Sequence, residues 1–308
     1  MTRLHIFCDI DDFCIWFVPL WESRMLPPAD RTLRRRDAQL CLSEIMTILV
    51  LFHRSNYRTF KHFYLEYVCV VLRDEFPNLV SYPRFIELIP GALVPFCAYV
   101  QSRRGEVTGI AFVDATSVKV CDNRRIYSHK VFKDLAQRGK NSMGWFYGFK
   151  LHLIINERGE LLAFKFTAGN VDDRTPVLDM TTGLYGKLFG DKGYISQKLF
   201  EQLYERGLHL ITTLKKKMKH RLMSVLDNIL LRKRAIIETV NDQLKNISQI
   251  EHSRHRSVAN AMVNLLAGLI AYTYQEKLPS LKLPPEDLKR LYAAFDEEAQ
   301  LALPVVAF

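Results

Sequence analysis

Glycine is scarce at the start of the chain, where none of the 14 glycines precedes Gly91. A segment without glycine lacks the residue that most easily forms tight turns and helix ends, so helices are favoured there. The apolar stretch SEIMTILVLFH is typical of a buried helix with Ser43 as its N-cap. Residues 1 to about 100 are therefore predicted to form a compact all-α unit.

Cysteine pairs at metal-ligand spacing are also absent. The six cysteines, at positions 8, 14, 41, 69, 97 and 121, form no Cys-x₂-Cys motif, which favours reduced, apolar cysteines over zinc ligands. The most apolar late stretch, 261–274, is shorter than the roughly 18 residues of a membrane-spanning helix. Acids interrupt the N-terminal MTRLHIFCDIDDF where a signal peptide would be apolar. We expect a soluble, cytoplasmic protein with no membrane partner.

Acidic residues are outnumbered by basic ones. The chain has 43 Lys and Arg against 33 Asp and Glu, which gives a net charge of +10 and a pI near 9.3. Such an excess favours a polyanionic partner, with nucleic acid ahead of an anionic membrane surface. The 308 residues are enough for two domains, each with a core of its own.

From Thr108 onward the sequence consists of short apolar stretches typical of strands. GIAFVDA, WFYGFKLHLII and ELLAFKFTAG predict three antiparallel strands, the last two joined by a turn at 156–159. A helix capped by Asp172 or Asp173, a strand that ends at Asp191, a second helix and another strand follow. This order predicts an α/β domain with a mixed sheet and flanking helices, as in a ribonuclease-H-like fold.

Three acids follow or lie on elements of the predicted core. Asp114 and Asp191 each come after a short apolar run, and Glu238 lies in LLRKRAIIETVNDQLK, which has helical periodicity. Carboxylates delivered by two strand ends and a helix would form a cluster of oxygen ligands suited to Mg²⁺ or Mn²⁺. Three structural caps or surface acids are the alternative, but they would not explain why all three are placed on core elements.

Glu238 shares one face of its helix with two cations and an amide. At about 100° per residue, Arg234, Glu238, Asn241 and Lys245 fall within a wedge of roughly 60°. Arg234 and Lys245 are predicted to contact DNA phosphates, or alternatively to form surface ion pairs, and Asn241 to line the site. The neighbouring arc is expected to face the core, with Ile236, Ile237, Val240 and Leu244.

Three further side chains are candidates for lining the site. His152 alternates with Lys150 on the strand beside Asp114, and it either points into the site or is a structural histidine. Asn170 and Asp173 follow the third strand, where they either line the site or cap the next helix.

The connector KKKMKHRLMSVLDN, residues 215–228, is the most basic segment of the chain. Beside a carboxylate cluster it would contact a phosphate backbone, although a solvated loop is the alternative. Its proposed DNA-binding residues are Lys215, Lys216, Lys217, Lys219 and Arg221.

With Asp114, Asp191 and Glu238 in this order, the chain resembles the DDE transposases of bacterial insertion sequences, and most closely the insertion-sequence 982 family. The similarity covers most of the chain. It is strongest in the stretches SEIMTILVLFH, GWFYGFKLHL, GDKGYIS, LLRKRAIIET, EHSRHRS and NLLAGLIAY.

The resemblance implies both an activity and a division of the chain. Residues 1–104 would be a helical DNA-binding domain, 105–278 the ribonuclease-H-like catalytic domain and 279–308 a tail. The three acids would hold two Mg²⁺ or Mn²⁺ ions about 4 Å apart, at which water cleaves a phosphodiester and the freed 3′-OH attacks target DNA. The partners would be double-stranded DNA, both terminal inverted repeats and target, bound by a homodimer or higher oligomer at the bacterial nucleoid.

A related group of insertion-sequence transposases has the pattern Tyr-x₂-Arg-x₃-Glu-x₆-Lys around its catalytic Glu. Arg234, Glu238 and Lys245 satisfy it, but Leu231 replaces the Tyr, so a Tyr role in holding DNA ends does not carry over. Two other functions remain open. One is a domesticated relative that binds DNA without cutting it, and the other is a nuclease of the same fold that performs no strand transfer.

Overall fold

The computed structural model describes residues 2–24, 39–213, 223–251 and 255–281, and these form two compact units. We call residues 1–103 with 243–276 the helical unit, and residues 104–242 with 277–308 the α/β unit, in each case for the described residues. The division falls inside one helix, between Asp242 and Gln243.

The elements are as follows in chain order. The first part of the helical unit has α1 (Arg3–Arg24), α2 (Leu42–Arg54), α3 (Phe60–His62) with a π-helical continuation (Phe63–Val68), α4 (Tyr82–Leu88) and α5 (Leu93–Ser102). The next elements are β1 (Ile110–Cys121), β2 (Gln137–Asn141), β3 (Gly144–Asn156), β4 (Leu161–Ala168), α6 (Val177–Met180), β5 (Gly186–Gly190), α7 (Gln197–Tyr204) and β6 (Leu208–Thr212). The last helices are α8 (Val225–Lys233), α9 (Ala235–Asn246) and α10 (Val258–Thr273).

The start of α2 differs from the prediction that Ser43 is its N-cap. The helix begins at Leu42, and the backbone N–H of Cys41 donates to the Glu44 carboxylate over 2.8 Å. Ser43 is instead buried within the first turn and donates to Asp11 of α1 over 2.5 Å. The serine hydroxyl therefore joins two helices and leaves the cap to its neighbours.

Residues 243–276 cluster with the N-terminal helices, whereas the sequence suggested that they continue the catalytic domain. The buried Nδ1 of His53 lies 2.5 Å from the carbonyl oxygen of Ser248, and the hydroxyls of Tyr99 and Tyr274 are 2.5 Å apart. The helix α10 is apolar on nearly all sides and packs on α2 and α5. Its wide apolar surface needs helices around it, and contiguity in sequence does not supply them.

One helical run of 21 residues, Tyr82–Ser102, is long and apolar enough to cross a membrane by length and composition. The core helices of soluble proteins meet the same criterion. Here Phe85, Ile89 and Phe96 are buried inside the helical unit, so the run contributes to the core of that unit.

The α/β unit is built on a six-stranded mixed sheet with the order β2-β3-β1-β5-β6. β1 pairs antiparallel with β3 and parallel with β5, which pairs parallel with β6. The other edge of β3 is shared, because β2 pairs with its first part and β4 with the remainder. The predicted antiparallel strands and mixed α/β class are confirmed, and the arrangement is compatible with a ribonuclease-H-like domain. The short strand β2 was not predicted.

One face of this sheet packs against α6, α7 and the ring of Tyr194 through a continuous apolar cluster. The short helix α6 begins only at Val177, so the prediction that Asp172 or Asp173 caps it is wrong. Asp172 accepts hydrogen bonds from the backbone and guanidinium of Arg174 within the preceding turn. Local side-chain to backbone bonds of this kind compete with helix capping.

The start of β5 gives a test of the strand packing. Gly186 has φ +85°, and a Cβ atom there would lie 2.3 Å from the backbone oxygen of Gly109. Gly183 has a similar φ of +80°, but a Cβ atom at that position would meet no atom within 4 Å. We expect Gly183→Ala to cost about 1 kcal/mol of unfolding free energy from φ strain alone, and Gly186→Ala roughly 3 kcal/mol, because overpacking is added.

Urea unfolding of both variants measures the difference. Equal losses of stability would show that the chain relaxes at Gly109 and that the close approach of β5 to this residue is unimportant.

Candidate active site

Asp114 and Asp191 lie at equivalent positions on two neighbouring parallel strands. The pairing of β1 with β5 ends at Phe112 and Phe189, whose rings stack with centroids 5.5 Å apart. Each acid comes two residues after this last pair. Because side chains alternate between the two faces of a sheet, Asp114 and Asp191 lie on the same face, where the strands separate.

The helix α9 brings Asn241 to the same place. Its side chain is buried, and its Nδ2 donates to Oδ2 of Asp114 over 2.9 Å. Glu238 precedes Asn241 by three residues, so the two side chains lie on one side of the helix. The predicted core face of α9 is confirmed, since Ile236, Ile237 and Val240 are buried.

Glu238 is ion-paired with Arg234. The guanidinium lies 2.7 Å from the Glu238 carboxylate, and the arginine side chain is 19% exposed against 57% for the glutamate. The alternative considered from the sequence, an ion pair between neighbouring turns of the chain, is therefore present in the structure. An exposed pair at i,i+4 contributes little stability, which leaves both groups available for other partners.

Burial raises the pKa of Asp114 to about 6, and this pKa also reflects its charged neighbours. Arg234 lowers the pKa, whereas Asp191 and Glu238 raise it. These effects require all four side chains to be close enough to interact. The structure thus brings together the three predicted acids and one predicted cation.

The three acids do not form a closed ligand set. Among the described residues, no three His, Cys, Asp or Glu side chains converge closely enough to hold one ion. Glu238 points to Arg234, and Asp191 accepts a hydrogen bond from the backbone N–H of Gly193 over 2.7 Å. The donor set still fits a hard divalent cation, because neighbouring carboxylates repel one another and oxygen is the ligand such cations prefer.

His152 does not belong to this group. It lies opposite Ala115 in the β1–β3 register, while Asp114 lies opposite Leu153, so His152 and Asp114 point to different faces of the sheet. Its Nε2 is 2.8 Å from the Thr167 hydroxyl, and burial lowers its pKa to about 4. The structural role, one of the two roles considered, matches this position.

Asp173 and Asn170 are placed differently from each other. Asp173 forms an ion pair of 2.8 Å with Lys150, whose ammonium also donates to the carbonyl oxygen of Val171. Lys150 is on the same face of the sheet as His152. Its partner Asp173 therefore lies on the His152 side and not on the Asp114 side. Asn170 is exposed in the turn after β4.

Residues 104–258, which are half of the chain and include all three acids, match the family model of the transposase DDE domain. The chain belongs to the DDE transposase family. No curated protein matches the sequence. Family membership supports transposition as the biological process, carried out by an enzyme of the nucleotidyl-transferase and endonuclease class.

Sequence reasoning missed one residue at the site of this transposase. Tyr194 is 2% exposed, and its hydroxyl has no hydrogen-bond partner among the described residues. Burial raises its pKa, and the charges of Asp114, Asp173 and Asp191 raise it further. The GDKGYIS motif contains this tyrosine three residues after Asp191, but nothing in the sequence shows that its ring is packed under Gly190.

The remaining predicted DNA contacts are not part of the described site. Lys245 forms an ion pair of 3.6 Å with Glu251 inside the helical unit. Five basic residues of the connector lie outside the described residues: Lys215, Lys216, Lys217, Lys219 and Arg221.

The raised pKa of Asp114 predicts how stability depends on pH. The folded-state pKa of about 6 exceeds the usual 3.8, so ionisation of Asp114 destabilises the fold progressively between pH 4 and 6 and fully above that range. Asp114→Asn removes this effect. We expect the variant to gain roughly 2–3 kcal/mol over the wild type at pH 7, and much less at pH 4.

Urea unfolding in a chelating buffer at the two pH values measures this gain, with Asp179→Asn as the control because Asp179 is exposed. A gain that is the same at pH 4 and pH 7 would contradict the electrostatic cause.

Proposed function

We propose that this transposase binds the ends of its insertion sequence, cleaves a phosphodiester bond there and joins the freed 3′-OH to target DNA. Within the family we assign it to the bacterial insertion-sequence 982 group, on the sequence stretches quoted above. The observation that carries the proposal is the placement of Asp114 and Asp191 side by side where β1 and β5 separate, with Glu238 on the helix that is bonded to Asp114.

Asp114, Asp191 and Glu238 would hold the divalent metal, Mg²⁺ or Mn²⁺, as two ions. Such ions activate water and stabilise the leaving oxygen in phosphodiester cleavage. For the acids to act together, Glu238 must exchange Arg234 for the ion, and Asp191 must keep an oxygen free beside its bond to Gly193. The Glu238 side chain is exposed and that of Asp191 is half-buried, so a change of rotamer can reorient either carboxylate.

Arg234 would then be free to contact DNA. Its guanidinium can bind a phosphate through two hydrogen bonds, and it lies beside the acids at which charge develops during cleavage. Release from Glu238 and binding of the phosphate would therefore be coupled, because the carboxylate and the phosphate compete for the same donor groups.

The other partners follow from charge. The net charge of +10 suits double-stranded DNA, both the terminal repeats and the target. We assign recognition of the ends to the helical unit, which exposes Arg58 and Lys61, and backbone contact to the lysine-rich connector and Lys245. A homodimer or higher oligomer on DNA would hold two ends together, in the cytoplasm at the nucleoid.

Removal of one acid tests the reaction. Asp114→Asn, Asp191→Asn and Glu238→Gln should each abolish cleavage of a duplex that contains the inverted repeat flanking the gene. Binding of that duplex should stay near wild type, because the basic residues that contact phosphates are retained. The measurements are single-turnover cleavage in Mg²⁺ and a binding titration at fixed salt.

The matched control is Asp179→Asn, an exposed acid that is paired with Lys165. It should cleave as the wild type does, and full cleavage by Glu238→Gln would disprove the assignment.

Joining of the cleaved end to a target plasmid separates a transposase from a nuclease. Binding without any cleavage by the wild type would identify a DNA-binding relative.

The role of Arg234 gives a separate prediction. Arg234→Ala should lower single-turnover cleavage at saturating DNA by roughly 10², the effect of removing one donor that stabilises transition-state charge. If a phosphate contact is lost, the slope of the logarithm of the binding constant against the logarithm of the salt concentration should also become less steep by about one unit.

Arg232→Ala is the control for this measurement, since Arg232 is an exposed arginine on the preceding helix α8. If Arg234→Ala and Arg232→Ala behave alike in both assays, Arg234 contributes only a surface ion pair.

A further inference from the structure

Asn241 has one polar atom bonded to the acid site and another without a partner. Its side chain is 7% exposed, and Nδ2 donates to Asp114 over 2.9 Å. Its Oδ1 is a buried acceptor that receives no hydrogen bond from any described residue. A buried acceptor without a donor destabilises the folded state, and a leucine of similar size would avoid this loss.

The chemistry of Asp114 fixes the orientation of this amide. An ionised carboxylate only accepts hydrogen bonds, so the NH₂ group must face it and the carbonyl oxygen must point away. Both atoms are attached to the same amide carbon, so Oδ1 remains close to the Asp114 carboxylate. An oxygen without a donor thus lies next to the place where a cation would bind.

Glu238 lies three residues before Asn241 on the same side of α9, and Asn241 is hydrogen-bonded to Asp114. Asn241 therefore lies between two of the three acids. A residue that served only to join α9 to the sheet would need one hydrogen bond. Oδ1 has no hydrogen-bond partner among the described residues, and a neutral oxygen is a ligand or second-layer acceptor that hard cations use.

We propose that Asn241 is a positioning residue for the metal site, in which Nδ2 holds the Asp114 carboxylate in its binding orientation and Oδ1 accepts a hydrogen bond from water of the hydrated divalent cation. This inference rests on the proposed function. Residues that orient metal ligands typically contribute a factor of about 10–100 to metal affinity. Asn241 would therefore act before DNA binds.

The test measures Mn²⁺ binding by the full chain in the absence of DNA, from the free-Mn²⁺ signal in electron paramagnetic resonance. We expect Asn241→Leu to weaken Mn²⁺ binding by roughly 10-fold or more. Its melting temperature in chelator should change little, because the loss of the donor to Asp114 is offset by removal of the unpaired Oδ1. Thr239→Val is the matched control, because Thr239 is exposed on the same helix and its hydroxyl donates to the carbonyl oxygen of Ala235 in that helix. It should bind Mn²⁺ as the wild type does.

A second variant covers the case in which Asn241→Leu does not fold. Asn241→Asp places a carboxylate against Asp114, so the melting temperature in chelator should fall, and added Mn²⁺ should raise it by more than in the wild type. An equal rise would overturn the inference.

Wild-type Mn²⁺ affinity in Asn241→Leu, together with a loss of binding in Asp114→Asn, would also overturn it while leaving the proposed function intact. Absence of Mn²⁺ binding by the wild type itself would contradict the metal chemistry of the proposed function, and the role of Asn241 with it.

Discussion

The parallel pairing of β1 with β5 is the constraint on which the site depends. The last residues paired are Phe112 and Phe189, whose rings stack. Asp114 and Asp191 each follow two residues later, at equivalent positions where the two strands are no longer paired. Acids placed earlier on these strands would be buried in an apolar sheet at a large desolvation cost. Acids placed later would lie on loops without a fixed separation. The end of the strand pairing is where both requirements are met.

The three acids repel one another electrostatically, and a separate hydrogen-bond partner stabilises each of them. Asp114 is bonded to Asn241, Asp191 to the backbone N–H of Gly193, and Glu238 to Arg234. Each carboxylate therefore has a favourable contact within the protein. These contacts also explain why the acids are close without converging, since each is oriented toward its own partner.

Most of the α/β unit could be predicted because its strands are short apolar runs and its turns contain residues of known preference. The cap predictions failed where the same side chains form other hydrogen bonds or ion pairs, either locally or with distant residues. The cap predicted at Asp172 or Asp173 gave way to bonds with Arg174 and Lys150, and the cap predicted at Ser43 gave way to a bond with Asp11. Residues 243–276 cluster with the N-terminal helices because the surface of α10 is almost entirely apolar.

The sequence by itself determined the mixed α/β class, the basic charge and the family, and the apolar runs that end at Asp114 and Asp191 identified both acids. Helical periodicity placed Glu238 and Asn241 on one face of α9, with Arg234 directly before that helix. Only the tertiary structure decided that His152 points to the opposite side of the sheet and that Asn241 and Tyr194 have buried polar atoms without a partner among the described residues. Strand register and the packing of α9 produce these facts. The register of β3 on β1 decides which face of the sheet His152 occupies, and the packing of α9 buries Asn241. Each brings together residues far apart in the chain, which local sequence patterns do not specify.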